Sequence, residues 1–213
     1  MHLDFCDLDS EWSNRKEIIM DLNKIPAGDN PPSEINVVVE IPQGGPPIKY
    51  EVDKTSGALF VDRFLHTPMV YPANYGFIPQ TLCDDGDPCD VLVISQVPVF
   101  PLAVVRCRPI GGLVMNDKRD PDEKIIAVPS DRLNPYYINV RTLDDLPKIV
   151  LEQIAYFFSH YKDLEEGKWG VEVLRWMDPD AATDYIAKAI ARAANALTDG
   201  SSRASIPSSG GPG

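Results

Sequence analysis

Apolar and polar positions alternate over short runs through the first two-thirds of the chain. In INVVVEI, Ile35, Val37, Val39 and Ile41 share one face, leaving Asn36, Val38 and Glu40 on the other. In IKYEVD, Ile48, Tyr50 and Val52 share a face, with Lys49, Glu51 and Asp53 opposite. Similar runs follow in ALFVDRFL, VLVIS, AVVRCRPI, LVM and KIIAVP, punctuated by PQGGPP, KTSG and DDGDP turns. Short strands at this spacing predict a small barrel or sandwich. The last third changes period. LPKIVLEQIAYFFSHY sets Leu146, Ile149, Val150, Gln153, Ile154, Phe157, Phe158 and Tyr161 at helical spacing, and Thr142 with Asp145 reads as its capping box. A second, Ala-rich helix is predicted from Asp178 to about Leu197, with Pro179 at its first position. The fold class is therefore α+β and β-rich.

The 213 residues divide into an N-terminal extension (1–20), a single domain (21–198) and a Ser/Gly-rich tail (199–213) that reads as disordered. No apolar run reaches the roughly 20 residues that cross a bilayer, and the N-terminus lacks a basic-then-apolar export pattern. Cys6, Cys83, Cys89 and Cys107 have neither disulfide-framework nor zinc spacing, so reduced thiols in a cytoplasmic protein are expected. A net charge of -12 argues against nucleic-acid and membrane-surface binding.

Against that acidic background, DDGDPCD crowds Asp84, Asp85, Asp87 and Asp90 at the entrance of the buried-type strand VLVIS. Two unit charges 4 Å apart interact by roughly 4 kcal/mol at an effective dielectric of about 20, so compensation is required. An acidic turn at the surface is the bland alternative. Gly86 and Pro88 instead stiffen a tight backbone, and MNDKRDPDEK adds Asp117, Asp120 and Asp122 before another strand. A calcium loop is ruled out, since the twelfth position counted from Asp85 is Gln96 rather than glutamate. Oxygen-only donors favour a hard cation such as magnesium or manganese, with Lys49, Arg63, Lys124 and Lys162 available for an anionic substrate. Arg63 sits on the apolar alternation of Leu59, Val61 and Leu65, where a guanidinium needs an anionic partner.

VVVEIP, PIKYEVDKTSGALFVDRFL, YPANYGFIP, DGDPCDVL, RCRPIGGLVMND, DEKIIAVP and HYKDLEEGKW occur in that order over residues 21–176. In these blocks the chain resembles the soluble family I inorganic pyrophosphatases, most closely the bacterial type. The resemblance implies an OB-like five-stranded β-barrel with additional strands and two main helices. It also implies hydrolysis of pyrophosphate to two phosphates with several Mg²⁺ ions per site, Mn²⁺ being a possible substitute. A homohexamer built as a dimer of trimers is implied as well.

By resemblance, Asp85, Asp90, Asp117 and Asp122 hold the metals, with Glu40 and Glu51 in the same polar cavity. Asp87 is the general base. Lys49, Arg63, Tyr71, Tyr75, Lys124, Tyr161 and Lys162 contact the phosphates. Two positions depart from the pattern: Cys89 stands where a branched aliphatic residue is common, and Lys118 follows Asp117 where an acid occurs in relatives. The competing readings are a Mg/Mn-dependent phosphohydrolase of nucleotides or polyphosphates, and an OB-type single-strand nucleic-acid binder. The second would need a basic groove with stacking aromatics.

Overall fold

A computed structural model describes residues 22–117, 120–166 and 170–203. The expected N-terminal extension and Lys118 lie outside the described residues. Among the described residues there are eight strands: β1 (Ile35–Ile41), β2 (Ile48–Val52), β3 (Leu59–Phe64), β4 (Asn74–Phe77), β5 (Asp90–Val93), β6 (Val104–Asp117), β7 (Asp120–Pro129) and β8 (Glu172–Met177). Two α-helices follow the barrel strands in part, α1 (Lys148–His160) and α2 (Pro179–Arg203).

β1 pairs with both β4 and β6, so the order β1-β4-β5-β7-β6 closes on itself as a five-stranded ring, with β8 added to β6. Pairing around the ring is antiparallel except between β5 and β7. Closure removes the exposed edges that open sheets must protect. Inside lie Ile35, Val37, Val39, Val91, Val93, Ile125 and Ala127, with α2 packed over them through Ala182, Ile186 and Ala189. A second apolar cluster joins Leu92, Leu113 and Ile126 to the buried face of α1, namely Ile154, Phe157 and Phe158. Cys107 belongs to the first cluster and is fully buried. Cys107→Ser is expected to cost about 2 kcal/mol, because a hydroxyl is desolvated there, and a lowered denaturation midpoint would register it.

Several sequence expectations are corrected. Alternation gives β1 two faces, yet the second one, with Asn36, Val38 and Glu40, is as buried as the first, since every residue of the strand is buried. Val38 packs with Val52 and Phe77, because the separate β2-β3 hairpin covers that side. AVVRCRPI and LVM form one continuous strand, carried through Gly111 (φ 148) by a bulge near Pro109. β4 and β8 were not expected, β4 being too short to display alternation and β8 having half of its six residues exposed.

The Thr142/Asp145 capping box caps a separate 3₁₀ turn, Leu143–Asp145, rather than α1. Pro147 holds Leu146 extended (ψ 149), so α1 starts only at Lys148. Ile149 and Gln153, expected on the inner face of α1, are exposed. α2 runs past the expected end at Leu197 to Arg203, through Gly200. A helical glycine costs only about 1 kcal/mol and does not by itself end a helix.

Candidate active site

The barrel register delivers the acids and bases to one mouth. Asp90 opens β5 and is the parallel partner of Lys124 on β7, while Asp122 lies two residues earlier on β7. Asp117 ends β6, paired with the start of β7. From the hairpin, Lys49 on β2 stands opposite Arg63 on β3, with Glu51 further along β2. Glu40 projects from β1, Tyr75 from β4, and Tyr161 and Lys162 follow the last turn of α1.

Together with Tyr71, Asp85 and Asp87, all of these side chains line a single cavity of about 210 Å³. Every residue that the sequence reading assigned to the site is therefore brought together. Lys54, Phe77, Pro88 and Phe158 complete the lining. Lys54 was missed because a lysine in a KTSG turn reads as solvated, although its ammonium lies 3.9 Å from Glu51.

The DDGDP loop owes its shape to local chemistry. Gly86 has φ 93, a conformation that side chains resist. The Cys83 N–H donates to the Asp87 carbonyl (2.7 Å), and the Asp87 N–H donates to Asp85 Oδ1 (3.0 Å). On its outer side Arg192 of α2 donates to the Leu82 carbonyl (3.1 Å) and pairs with Asp84 (2.9 Å). Asp84 is thereby turned to the surface, while Asp85 and Asp87 face the cavity.

Opposite charges interleave throughout. Lys124 bridges Asp90 and Asp122, the latter at 2.5 Å, and Lys162 meets Asp117. Lys49 pairs with Asp62 (3.0 Å) and Glu51 (3.5 Å), and Arg63 with Glu165 (3.6 Å). Burial lowers the affinity of Lys124 for its proton, but the Asp90 and Asp122 carboxylates more than reverse this and keep it charged.

Burial raises Glu40 to about 7, with the charges of Asp90 and Glu51 adding to it against a hydrogen bond from Val52 N–H (2.8 Å). Asp87 is raised by burial and by Asp85, and Asp122 by burial against the pull of Lys124. Burial likewise raises Tyr71, Tyr75 and Tyr161, so these phenols stay protonated donors. Tyr161 stacks on Phe157 (centroids 5.1 Å apart) and Tyr71 packs tilted against the same ring (4.7 Å, 50° between planes), which positions both phenols.

The donor set suits hard cations. It consists of carboxylate oxygens, and one of them, Asp117 Oδ1, is buried without a hydrogen-bond partner among the described residues. Among the described residues no three acids are already gathered closely enough to hold an ion; the ammonium groups of Lys124 and Lys162 lie against them instead.

The model of the pyrophosphatase family, described as inorganic pyrophosphatase, matches residues 37–194. An inorganic pyrophosphatase of Caulobacter vibrioides is 60% identical over 173 residues, covering 81% of this chain and 97% of that protein. One from Aquifex pyrophilus is 57% identical over 171 residues, covering 80% and 96%. Among solved structures, the inorganic pyrophosphatase of Thermus thermophilus superimposes with a TM-score of 0.77 at 40% identity, covering 82% of this chain and 99% of that one.

Proposed function

The chain belongs to the inorganic pyrophosphatase family, in its bacterial family I form, and on that premise we propose that its cavity hydrolyses pyrophosphate to two phosphates. The observation that carries this reading is the convergence of carboxylates and cations in one small cavity of a chain so similar to named pyrophosphatases.

In this reading Asp85, Asp90, Asp117 and Asp122 hold divalent cations, Mg²⁺ first, with Glu40 and Glu51 beside them. When bound, the cations supply Lewis-acid neutralisation of phosphate oxygens and acidify an attacking water. Asp87 accepts the proton of that water as general base. Its raised proton affinity suits that task better than an ordinary surface aspartate. Lys49, Arg63, Lys124 and Lys162 take up the negative charge of the phosphates, and the protonated Tyr71, Tyr75 and Tyr161 donate O–H bonds to their oxygens. Lys124 and Lys162 meet carboxylates in this structure, and with cations bound they would be free to pair with phosphate oxygens instead.

A single domain over residues 21–198 and a cytoplasmic location belong to the same reading. So does a homohexamer of two trimers, for which Phe60, Phe64, Ile149 and Tyr156 offer exposed apolar surface. No helix among the described residues is long and apolar enough to cross a membrane.

The deciding experiment compares phosphate release from pyrophosphate, ATP and tripolyphosphate with Mg²⁺, with Mn²⁺ and with EDTA. Release is expected from pyrophosphate with Mg²⁺, and far more slowly from the longer substrates. Comparable rates on ATP would move the assignment to a broader phosphohydrolase.

A further inference from the structure

The loop that carries Asp85 and Asp87 is flanked at its base by two thiols. Cys83 and Cys89 are free, and their sulfurs approach to 3.0 Å. Cys89 is fully enclosed, while Cys83 keeps 8% of its surface. A disulfide has an S–S bond of about 2.0 Å, so closure asks for roughly 1 Å of movement. The ends of the loop are already fastened. The Cys83 N–H reaches the Asp87 carbonyl (2.7 Å), and the Cys89 N–H donates to Thr81 Oγ1 (2.9 Å). Gly86, at positive φ and with no neighbouring atom within 4 Å of where a Cβ would stand, leaves the tip room to adjust.

We propose that Cys83 and Cys89 are a peroxide-sensitive dithiol whose disulfide shifts the acidic loop and slows the enzyme. The rate effect rests on the function proposed above. Hydrogen peroxide transfers an oxygen to the Cys83 sulfur, giving a sulfenic acid and one water. The Cys89 sulfur then displaces the hydroxyl as a second water and forms the S–S bond. In total the thiols lose two protons and two electrons, and peroxide is reduced to two waters. A dithiol reductant reverses the change.

Cys83 lies two residues before Asp85, and Cys89 directly precedes Asp90, so a closure movement is passed to both ends of the acidic loop. Arg192 holds the Leu82 carbonyl and pairs with the Asp84 carboxylate on the outer side, which restrains that side and leaves the inner part of the loop to take up the movement. A misplacement of about 1 Å in reacting groups can lower a rate by roughly 10²-fold.

The test oxidises the full chain with hydrogen peroxide, maps disulfides by peptide mass, and follows pyrophosphate hydrolysis and Mg²⁺ affinity before and after dithiothreitol. The expected result is a Cys83–Cys89 linkage, with rate and Mg²⁺ affinity each at least about 10-fold lower and both restored by reductant. Cys83→Ser and Cys89→Val should keep the reduced rate and lose the sensitivity. The second replaces a buried thiol by an apolar side chain, so that a folding failure in one variant leaves the other to report. Absence of the linkage overturns the proposal. So does a linkage that changes neither rate nor Mg²⁺ affinity, or a peroxide-induced loss of rate in both variants as large as in the wild type. A reduced protein inert on pyrophosphate would instead refute the functional reading, while the linkage and Mg²⁺ affinity still judge the dithiol.

Discussion

Asp87→Asn is expected to lower Mg²⁺-dependent phosphate release from pyrophosphate by about 10²- to 10⁴-fold, the usual contribution of a positioned general base. Asparagine keeps the shape of the side chain but cannot accept a proton from the attacking water. The backbone bonds of position 87, from Cys83 N–H to its carbonyl and from its own N–H to Asp85 Oδ1, survive the change. The loop should therefore keep its form. Mg²⁺ affinity should stay close to that of the wild type, since the metal ligands in this scheme are Asp85, Asp90, Asp117 and Asp122. EDTA should abolish release in both proteins.

The diagnostic combination is a lost rate with retained Mg²⁺ binding, measured by steady-state phosphate release and by calorimetric titration. A variant with full rate would remove Asp87 from the role of base and leave the substrate assignment standing. A variant that lost Mg²⁺ would make Asp87 a ligand instead.

The aspartates were legible because their chemistry is local. Asp85, Asp87 and Asp90 are fixed relative to one another by a turn that Gly86 and Pro88 specify, so spacing alone implies that they converge. The basic and aromatic partners are a different matter. Tyr161 and Lys162 follow a helix, Lys124 lies in a strand, and nothing in either pattern points to a shared cavity. Ring closure and the parallel β5–β7 register bring them together, and those are long-range properties that only family resemblance could anticipate.

Lys54 escaped for the opposite reason: its turn context is locally unremarkable, and only the fold of the β2–β3 hairpin places it near Glu51. The same holds for the thiols. A six-residue separation matches no disulfide framework, yet the turn at Gly86 doubles the chain back and sets the two sulfurs side by side. The 3₁₀ turn after Thr142 shows the limit of local signals. The capping box forms as Thr142 and Asp145 suggest, but Pro147 separates it from α1, so it caps the 3₁₀ turn and not the long helix expected after it.

Glu40→Gln is expected to stabilise the metal-free protein at neutral and alkaline pH by about 3 kcal/mol relative to the wild type. The figure converts a folded proton affinity near pH 7, against an ordinary value of 4.5, at roughly 1.4 kcal/mol for each tenfold. The cause is burial, reinforced by the Asp90 and Glu51 charges, so the ionised form is what the fold disfavours. Between pH 4.5 and 7 the folded chain binds more protons at this site than the unfolded chain does. Stability from this carboxyl is therefore present below pH 4.5, falls as pH rises, and is fully lost above about 7. Glutamine retains an oxygen for the Val52 N–H and carries no proton to lose.

Urea unfolding in EDTA at pH 5 and pH 8 reads the effect as the difference between the two proteins, which cancels the titration of every other group. Identical pH slopes would mean that Glu40 is not held in a destabilised, ionised state. Adding Mg²⁺ at pH 8 should then raise the wild type more than the variant. On the metal-binding role proposed above, a cation beside Glu40 relieves the cost of its buried charge, and the variant has no such charge to relieve.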